Sequence, residues 1–413
     1  MTRWLALGVF AAFLPLSAAL AQEEARAERF RQMSAAAEAE GLAEPFRGIS
    51  AGGEFVYGLF PVESTGVSTR PVVAAAQGFL DELAPAARDA VSFPVDDAEW
   101  RKWMNQHFYL RQGMSFEDMS AAERDAALAL LRASLSARGL ELSRDIMRLN
   151  HTLAELNDDN FDEYGEWLYW LTVMGEPSAT EPWGWQLDGH HLVINYFVLG
   201  DQVVMSPVFM GSEPVIAETG EYAGTAVLQE EQDRGLRMLL GLNDAQRSMA
   251  IVEVSKEGNN NVAEAFRDNV ELERIGIPGA LLSPEQREAL LDLIALYVGN
   301  LREGHAAVRM EEVERHLDET WFAWIGGTDE DSVYYYRIFS PVILIEFDHQ
   351  RPANLRHLHP PEPSRQHIHT VVRTPNGNDY GKDLLRQHYE THPHHGEAGD
   401  GEEEGAEEHA PRR

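Results

Sequence analysis

The chain has 413 residues, enough for one large domain or two ordinary ones, and it contains no cysteine. Disulfides, a thiolate nucleophile, sulfur-rich zinc sites and iron–sulfur clusters are therefore excluded. The 34 basic residues face 68 acidic ones, a formal net charge of −34. This balance disfavours nucleic acid and anionic membranes as partners, and leaves metal ions and small neutral or cationic molecules. Neither a phosphate-binding loop nor a dinucleotide fingerprint is present, so no nucleotide is expected, and no haem either.

Residues 1–21 have the pattern of a secretory signal peptide. Arg3 supplies a positive charge, Leu5–Leu16 is apolar, and Ala19-Leu20-Ala21 is typical of a cleavage site. We expect cleavage after Ala21 and a soluble secreted or periplasmic protein. An N-terminal membrane anchor is the alternative, but the apolar run is short of the roughly 20 residues that a bilayer requires. Residues 22–45 are rich in Ala and Glu, which predicts a lead-in helix.

The next segments give local predictions. Glycine alternates with apolar residues over 46–62, which suggests a short hairpin, and the spacing of apolar residues over Val72–Leu83 predicts a helix. Three further helix starts carry a capping residue followed three positions later by Glu or Gln: Ser120 with Glu123, Asn243 with Gln246, and Ser283 with Gln286.

Two regions look like paired strands that follow an aromatic segment. They are Leu192–Leu199 with Val203–Phe209 after Trp183-Gly-Trp185, and Val333–Phe339 with Val342–Phe347 after Trp321-Phe-Ala-Trp324. Internal duplication and chance similarity both fit this likeness. The pattern predicts an α+β fold, with antiparallel strand pairs packed against amphipathic helices, as a single large domain over 46–390. Residues 391–413 are rich in His, Glu and Gly and predict a disordered tail.

Two histidine-bearing segments suggest a metal site. His190 and His191 precede an apolar strand, and His367 and His369 lie at i and i+2 of another, so the second pair shares one strand face with Arg373. Two such imidazoles suit a zinc-like divalent ion. A solvent-facing polar strand is the alternative for the second segment. In the first, one histidine is expected to serve the site while the other packs nearby; the alternative is one core histidine and one surface histidine.

Further polar residues could complete this site. Glu346 and Asp348 share a strand face, where they would act as ligand or general base, or pair with arginine. Arg373 and Arg111 could orient an anionic or carbonyl group. Four aromatic or amide side chains are candidates for substrate binding: Trp100, Asn105, Trp185 and Asn195. The segment with Trp100 and Asn105 could as easily be the start of a helix with an exposed charged side.

Several motifs together resemble one family. They are Phe93–Asn105, Arg111–Met114, Leu131–Gly139, Pro182–Asn195, Pro207–Pro214, Tyr335–Ile338, Ile345–Asp348, His367–His369 and Asp379–Gly381. In these the chain resembles the bacterial and fungal proteins grouped as domain of unknown function 3500, over roughly Phe46 to His388. The family name implies no activity. In this chain His349 stands where the family has Asn, and residues 355–366 look like an inserted loop.

The sequence thus supports three hypotheses. The first is an exported metal-dependent hydrolase that uses the histidines and carboxylates described above. The second is a periplasmic metal-handling protein without catalysis, suggested by the histidine-rich C-terminal region. The third is a binding module for a small extracellular ligand, with the tryptophans as stacking platforms.

Overall fold

The computed structural model describes residues 14–392. The predicted signal peptide over 1–21 lies mostly outside this range, and so does the predicted tail over 391–413, apart from its first two residues. The α-helices are α1 (Leu14–Gly41), α2 (Arg70–Glu82), α3 (Pro85–Val91), α4 (Ala121–Ser134), α5 (Ala137–Glu155), α6 (Phe161–Tyr164), α7 (Gln229–Leu240), α8 (Asp244–Ala250), α9 (Pro284–Val298), α10 (Glu303–Arg315) and α11 (Lys382–Thr391). Within the described range, no helix has both the length and the apolar character needed to cross a bilayer.

The strands form one large sheet and one small one. The strands are β1 (Ser50–Ala51), β2 (Ser92–Phe93), β3 (Met114–Ser115), β4 (Tyr169–Met174), β5 (Trp183–Gly189), β6 (Leu192–Leu199), β7 (Gln202–Ser212), β8 (Ile251–Glu253), β9 (Glu271–Leu272), β10 (Ile277–Pro278), β11 (Trp321–Gly326), β12 (Tyr334–Phe339), β13 (Leu344–His349) and β14 (Ile368–Arg373). β1 pairs with β9, and the other 12 strands form the large sheet. The predicted α+β fold is confirmed.

The large sheet contains two four-stranded antiparallel meanders side by side. One runs β4-β5-β6-β7 and the other β11-β12-β13-β14, and the two meet where β14 pairs with β7. The predicted strand pairs are therefore present as β6–β7 and β12–β13. β6 and β7 are the last two strands of the first meander, and the last two strands of the second are β13 and β14. The likeness between the aromatic segments instead matches β6–β7 with β12–β13, which lies one strand earlier.

The predicted helix starts are confirmed. Ser120, Asn243 and Ser283 each accept from the backbone N–H three residues on, and each N3 side chain accepts in return from the backbone N–H of its cap. Such reciprocal bonds satisfy two donors that a helix start otherwise leaves unpaired. The helix predicted over Val72–Leu83 is also present, as α2.

The hairpin predicted over 46–62 is reduced to one tight turn. Only Ser50–Ala51 forms a strand there, which pairs in parallel with Glu271–Leu272, while a single antiparallel bridge joins Ala51 to Glu54. Gly52 and Gly53 turn the chain with positive φ angles of 62° and 80° directly after this strand, so alternation of glycine and apolar residues here reflects tight turns.

Apolar clusters cover both faces of the large sheet. The larger cluster lies between the sheet and helices α2, α4, α5, α7 and α9, and the smaller covers the other face. Along β14, Ile368 and Val372 face the larger cluster, while Val371 faces the smaller one. Because side chains alternate along a strand, His369 and Arg373 project on the same face as Val371, as predicted.

Candidate metal centre

Three imidazole rings from two distant parts of the chain meet at the junction of the meanders. The Nε2 atom of His367 lies 2.9 Å from Nε2 of His369 and 3.3 Å from Nε2 of His191. Within the described range, these are the only three or more His, Asp or Glu residues whose ligand atoms all lie within 4.8 Å of one another. Three nitrogens bound tetrahedrally at 2.0–2.1 Å from zinc would be about 3.3 Å apart, so the observed spacing suits a metal.

A tight turn presents His191 to this site. His190 and His191 form the two-residue connection between β5 and β6, and the strand begins at Leu192, as predicted. His191 has a φ of 62°, which is uncommon for a residue with a side chain. Its backbone is fixed on both sides, because its N–H donates to the carbonyl of Asn105 (3.1 Å) and its carbonyl accepts from Gly211 N–H (2.8 Å).

The pairing of β14 with β7 brings the other two rings to the turn. His369 lies opposite Gly211, and His367 immediately precedes β14. A Cβ atom at position 211 would lie 2.6 Å from the carbonyl oxygen of Ile368 and 3.1 Å from Cδ2 of His369. Glycine at this position therefore leaves the space that the imidazole of His369 occupies.

Hydrogen bonds fix which ring nitrogens face the centre. Nδ1 of His367 lies 2.7 Å from the carbonyl oxygen of Arg351, which can only accept, so Nδ1 carries the proton. Nδ1 of His369 lies 2.7 Å from Oε1 of Glu264, and donates to this carboxylate when it is ionised. Each Nε2 then points a lone pair at the other over 2.9 Å, which is unfavourable unless a cation lies between them.

Burial keeps the rings of His191 and His369 in the form that binds metals. The residues His191, His367 and His369 are only 5%, 3% and 7% exposed. Burial lowers the pKa of both His191 and His369 well below 6.5, and the neighbouring imidazoles lower it further. Burial also raises the pKa of Glu264 to about 7, against the opposing effects of Asn261, His367 and Asn105. Neutral imidazole is the form that binds a metal.

His190 lies beside the centre without pointing into it. Its ring stacks on that of His191 at 4.0 Å, and its Nδ1 lies 2.7 Å from Oδ1 of Asn150. Nε2 is 3.4 Å from the amide nitrogen of Asn354. Both ring nitrogens thus have partners, and His190 supports the ring of His191.

Glu346 and Asp348 hold the loop that carries Glu264. Glu346 accepts from the backbone N–H groups of Val262 and Ala263 and from the hydroxyl of Tyr335. Asp348 pairs with Lys256 at 2.7 Å, with both side chains fully buried, and accepts from two backbone N–H groups of the same loop. Burial raises the pKa of Asp348 to about 7, although the charge of Lys256 opposes this.

Arg373 binds the same loop from the next strand. Its side chain is fully buried, pairs with Asp268 (2.9 Å) and Asp379 (3.2 Å), and donates to the carbonyl oxygens of Ala263 and Glu264. The guanidinium is fully engaged in these bonds and positions the backbone on which Glu264 stands.

Arg111 organises a second loop next to the centre. It donates to the carbonyl oxygens of Met104, Gln106 and Tyr109 and pairs with Asp188 at 3.1 Å. This loop carries Asn105, which is buried, holds the backbone of His191 and bonds to Glu264.

The remaining predicted binding residues are parts of the core. Trp100 is fully buried and donates to the carbonyl of Val95, and Trp185 stacks on Tyr196 at 5.2 Å. Asn195 is also fully buried and donates to the carbonyl of Pro207.

Two acidic residues at the centre were not anticipated. Glu264 lies outside any helix or strand, so no periodic pattern points to it. Glu213 is buried, with Oε2 at 3.8 Å from Nδ1 of His367, and it accepts from the backbone N–H groups of 353, 354 and 355. Its position directly after β7 was the one available signal.

The fold and the centre define a class: an α+β protein with three buried histidines at a sheet junction. The family model described as "Protein of unknown function (DUF3500)" matches residues 65–382, so the chain belongs to this family. This confirms the resemblance seen in the sequence motifs. No curated protein and no solved structure shows significant similarity to the chain.

Proposed function

We propose that this protein binds one divalent metal ion, zinc-like in its preferences, through the Nε2 atoms of His191, His367 and His369. The observation that carries the proposal is the 2.9 Å approach of two Nε2 atoms, because Nδ1 of His367 donates to the Arg351 carbonyl and Nδ1 of His369 donates to Glu264 when that carboxylate is ionised. A carboxylate behind a metal-binding histidine, as Glu264 lies behind His369, is a common accompaniment of such sites.

We further propose that the metal serves a hydrolytic reaction. Zinc held by three protein ligands keeps a fourth position for water and lowers the pKa of that water to about 7. Glu264 supports this role because its side chain is 27% exposed, which connects the centre to solvent. The net charge of −34 favours a neutral or cationic small-molecule substrate, and the pattern over residues 1–21 favours export.

A metal-handling role without catalysis is the second candidate. The exposure of the three histidines, between 3% and 7%, leaves little room for a substrate to approach the ion. This burial favours a protein that holds or transfers a metal over one that must admit a substrate to the ion.

Metal content tests the proposal most simply. The protein without residues 393–413 and without an affinity tag should hold about one zinc per chain after zinc loading and dialysis. His367→Ala/His369→Ala should lose it, whereas His357→Ala/His359→Ala, outside the centre, should keep it. An empty parent protein would contradict the proposal, and would favour a proton shared between the rings.

Hydrolysis separates the two candidates. The zinc-loaded protein would be tested on a panel of ester, amide and phosphoester substrates. Turnover that a chelator removes, zinc restores and His367→Ala/His369→Ala abolishes would support the hydrolase. Stoichiometric zinc without turnover on any of these would favour metal handling.

A further inference from the structure

A cavity lies on the opposite face of the sheet from the histidines. It has a volume of about 70 Å³, between β7 and β14 on one side and the α9–α10 hairpin on the other. A single water needs roughly 10–15 Å³, so the space could hold a small organic molecule. Its walls are mainly apolar, and include Val203, Val208, Met210, Val298, Val308 and Val372.

The burial of the wall residues shows that the helices leave this part of the sheet uncovered. β14 pairs on both sides, with β13 and β7, yet Val372 in this central strand is only half-buried. Val203, Met205 and Val308 are half-buried as well. Apolar surface left inside a fold in this way would gain free energy if an apolar ligand covered it.

One buried amide in the wall lacks a good acceptor. Asn300 is 4% exposed, and its Oδ1 accepts from Arg138 at 2.8 Å, which fixes the orientation of the amide. The Nδ2 atom therefore turns toward Met210 and donates to its thioether sulfur at 3.6 Å. Sulfur of this kind is a weak acceptor, so the amide N–H group is poorly satisfied.

The charged and titratable groups of the wall offer no free charge. Arg309 pairs with Glu312 at 2.5 Å and donates to the carbonyl of Val342 and the hydroxyl of Thr374. Burial lowers the pKa of His305, which is therefore neutral at pH 7, although the backbone near Asp201 and Val67 opposes this. An anionic ligand would have to break the Arg309–Glu312 pair.

We propose that this cavity is a second binding site, for a small neutral molecule with an apolar chain and one hydrogen-bond acceptor such as a carbonyl. The apolar chain would cover Val203, Val308 and Val372, and the acceptor would receive the amide N–H of Asn300. The site is separate from the candidate metal centre and does not depend on whether that centre holds a metal.

Methyl NMR of the whole protein tests this proposal. The methionine methyl groups would be labelled with carbon-13, and 2-pentanone would be the probe, with pentanoate as its anionic counterpart. We expect the signals of Met205 and Met210 to shift and saturate with 2-pentanone, while those of Met174 and Met249, which do not line the cavity, stay in place. Pentanoate should cause no saturable shift.

Two variants provide the control. Val308→Trp should fill the cavity and abolish the shifts, whereas Val252→Trp, at a 39% exposed position on β8, should leave them unchanged. If Val308→Trp does not fold, Val203→Trp fills the space from the sheet side. Unmoved Met205 and Met210 signals, or equal shifts in a folded filled variant, would overturn the proposal. Equal binding of pentanoate would overturn the neutral ligand class.

Discussion

At the scale of single residues, the centre depends on small features around three histidines. The shared face of His369 and Arg373 could be predicted because alternation along a strand is a strict rule. The turn at His190 and His191 was not predicted, since a left-handed residue other than glycine gives no clear pattern. The need for glycine at position 211 appears only once β7 and β14 are paired.

Gly211→Ala should weaken both the fold and metal binding. The added Cβ would meet the backbone of Ile368 at 2.6 Å, which cannot move freely. We expect a loss of about 1–3 kcal/mol in the free energy of unfolding, measured by chemical denaturation. Gly258→Ala is the matched control, because nothing lies within 4 Å of its added Cβ. Equal stability of the two variants would contradict this account.

Glu264→Gln should lower the affinity for zinc without changing the stoichiometry. The carboxylate orients His369 through a 2.7 Å hydrogen bond, and loss of such a group typically costs about 10–100-fold in metal affinity. Competition with a chelator would measure this. Glu390→Gln, which alters an exposed ion pair with Arg386, should bind zinc as the parent does. An unchanged affinity in Glu264→Gln would show that the carboxylate does not position the ring.

His349→Asn should make the fold less sensitive to acid. Burial lowers the pKa of His349 well below 6.5, and its Nδ1 already accepts from Tyr334 N–H. Below the unfolded pKa of about 6.5, the unfolded chain gains a proton that the folded chain does not. The parent should therefore lose up to about 1.4 kcal/mol more per pH unit than the variant as the pH falls. Chemical denaturation at pH 7.5 and 5.5 would measure the free energy of unfolding of both proteins. An equal loss of this free energy between the two pH values in parent and variant would refute the prediction.

At the scale of elements, the irregular segment 256–268 is fixed by three side chains from two neighbouring strands. Glu346 and Asp348 on β13 bind its backbone N–H groups, and Arg373 on β14 binds its carbonyls. The sequence showed that these residues share strand faces, but not that their partner is a distant loop. Such long-range pairing leaves no periodic signal, which is why Glu264 was missed.

Lys256→Met should loosen this segment. It would leave Asp348 buried without its cation, and removal of one partner of a buried ion pair costs about 3–5 kcal/mol. Chemical denaturation would measure the loss, and hydrogen exchange should show faster exchange in residues 256–268. Arg31→Met removes an exposed pair with Glu28 and should cost less than about 1 kcal/mol. Unchanged exchange in Lys256→Met would indicate that the pair does not hold the loop.

At the scale of the whole molecule, the candidate centre belongs to the junction of the two meanders. His191 comes from the first meander and His369 from the second, so their approach depends on the pairing of β7 with β14. The α+β class, the capped helices and five of the 12 strands of the large sheet (β6, β7, β12, β13 and β14) followed from periodicity and capping chemistry. The order of the strands did not, because the contacts that set it join residues far apart in the sequence.

A crystal structure of the protein grown with zinc would show whether the three histidines bind a metal ion. We expect one strong anomalous peak at the zinc edge, about 2.0–2.1 Å from the Nε2 atoms of His191, His367 and His369. His367→Ala/His369→Ala, crystallised in the same way, should lack the peak. No peak at this position in the parent, or zinc bound elsewhere while the three rings keep their spacing, would contradict this expectation.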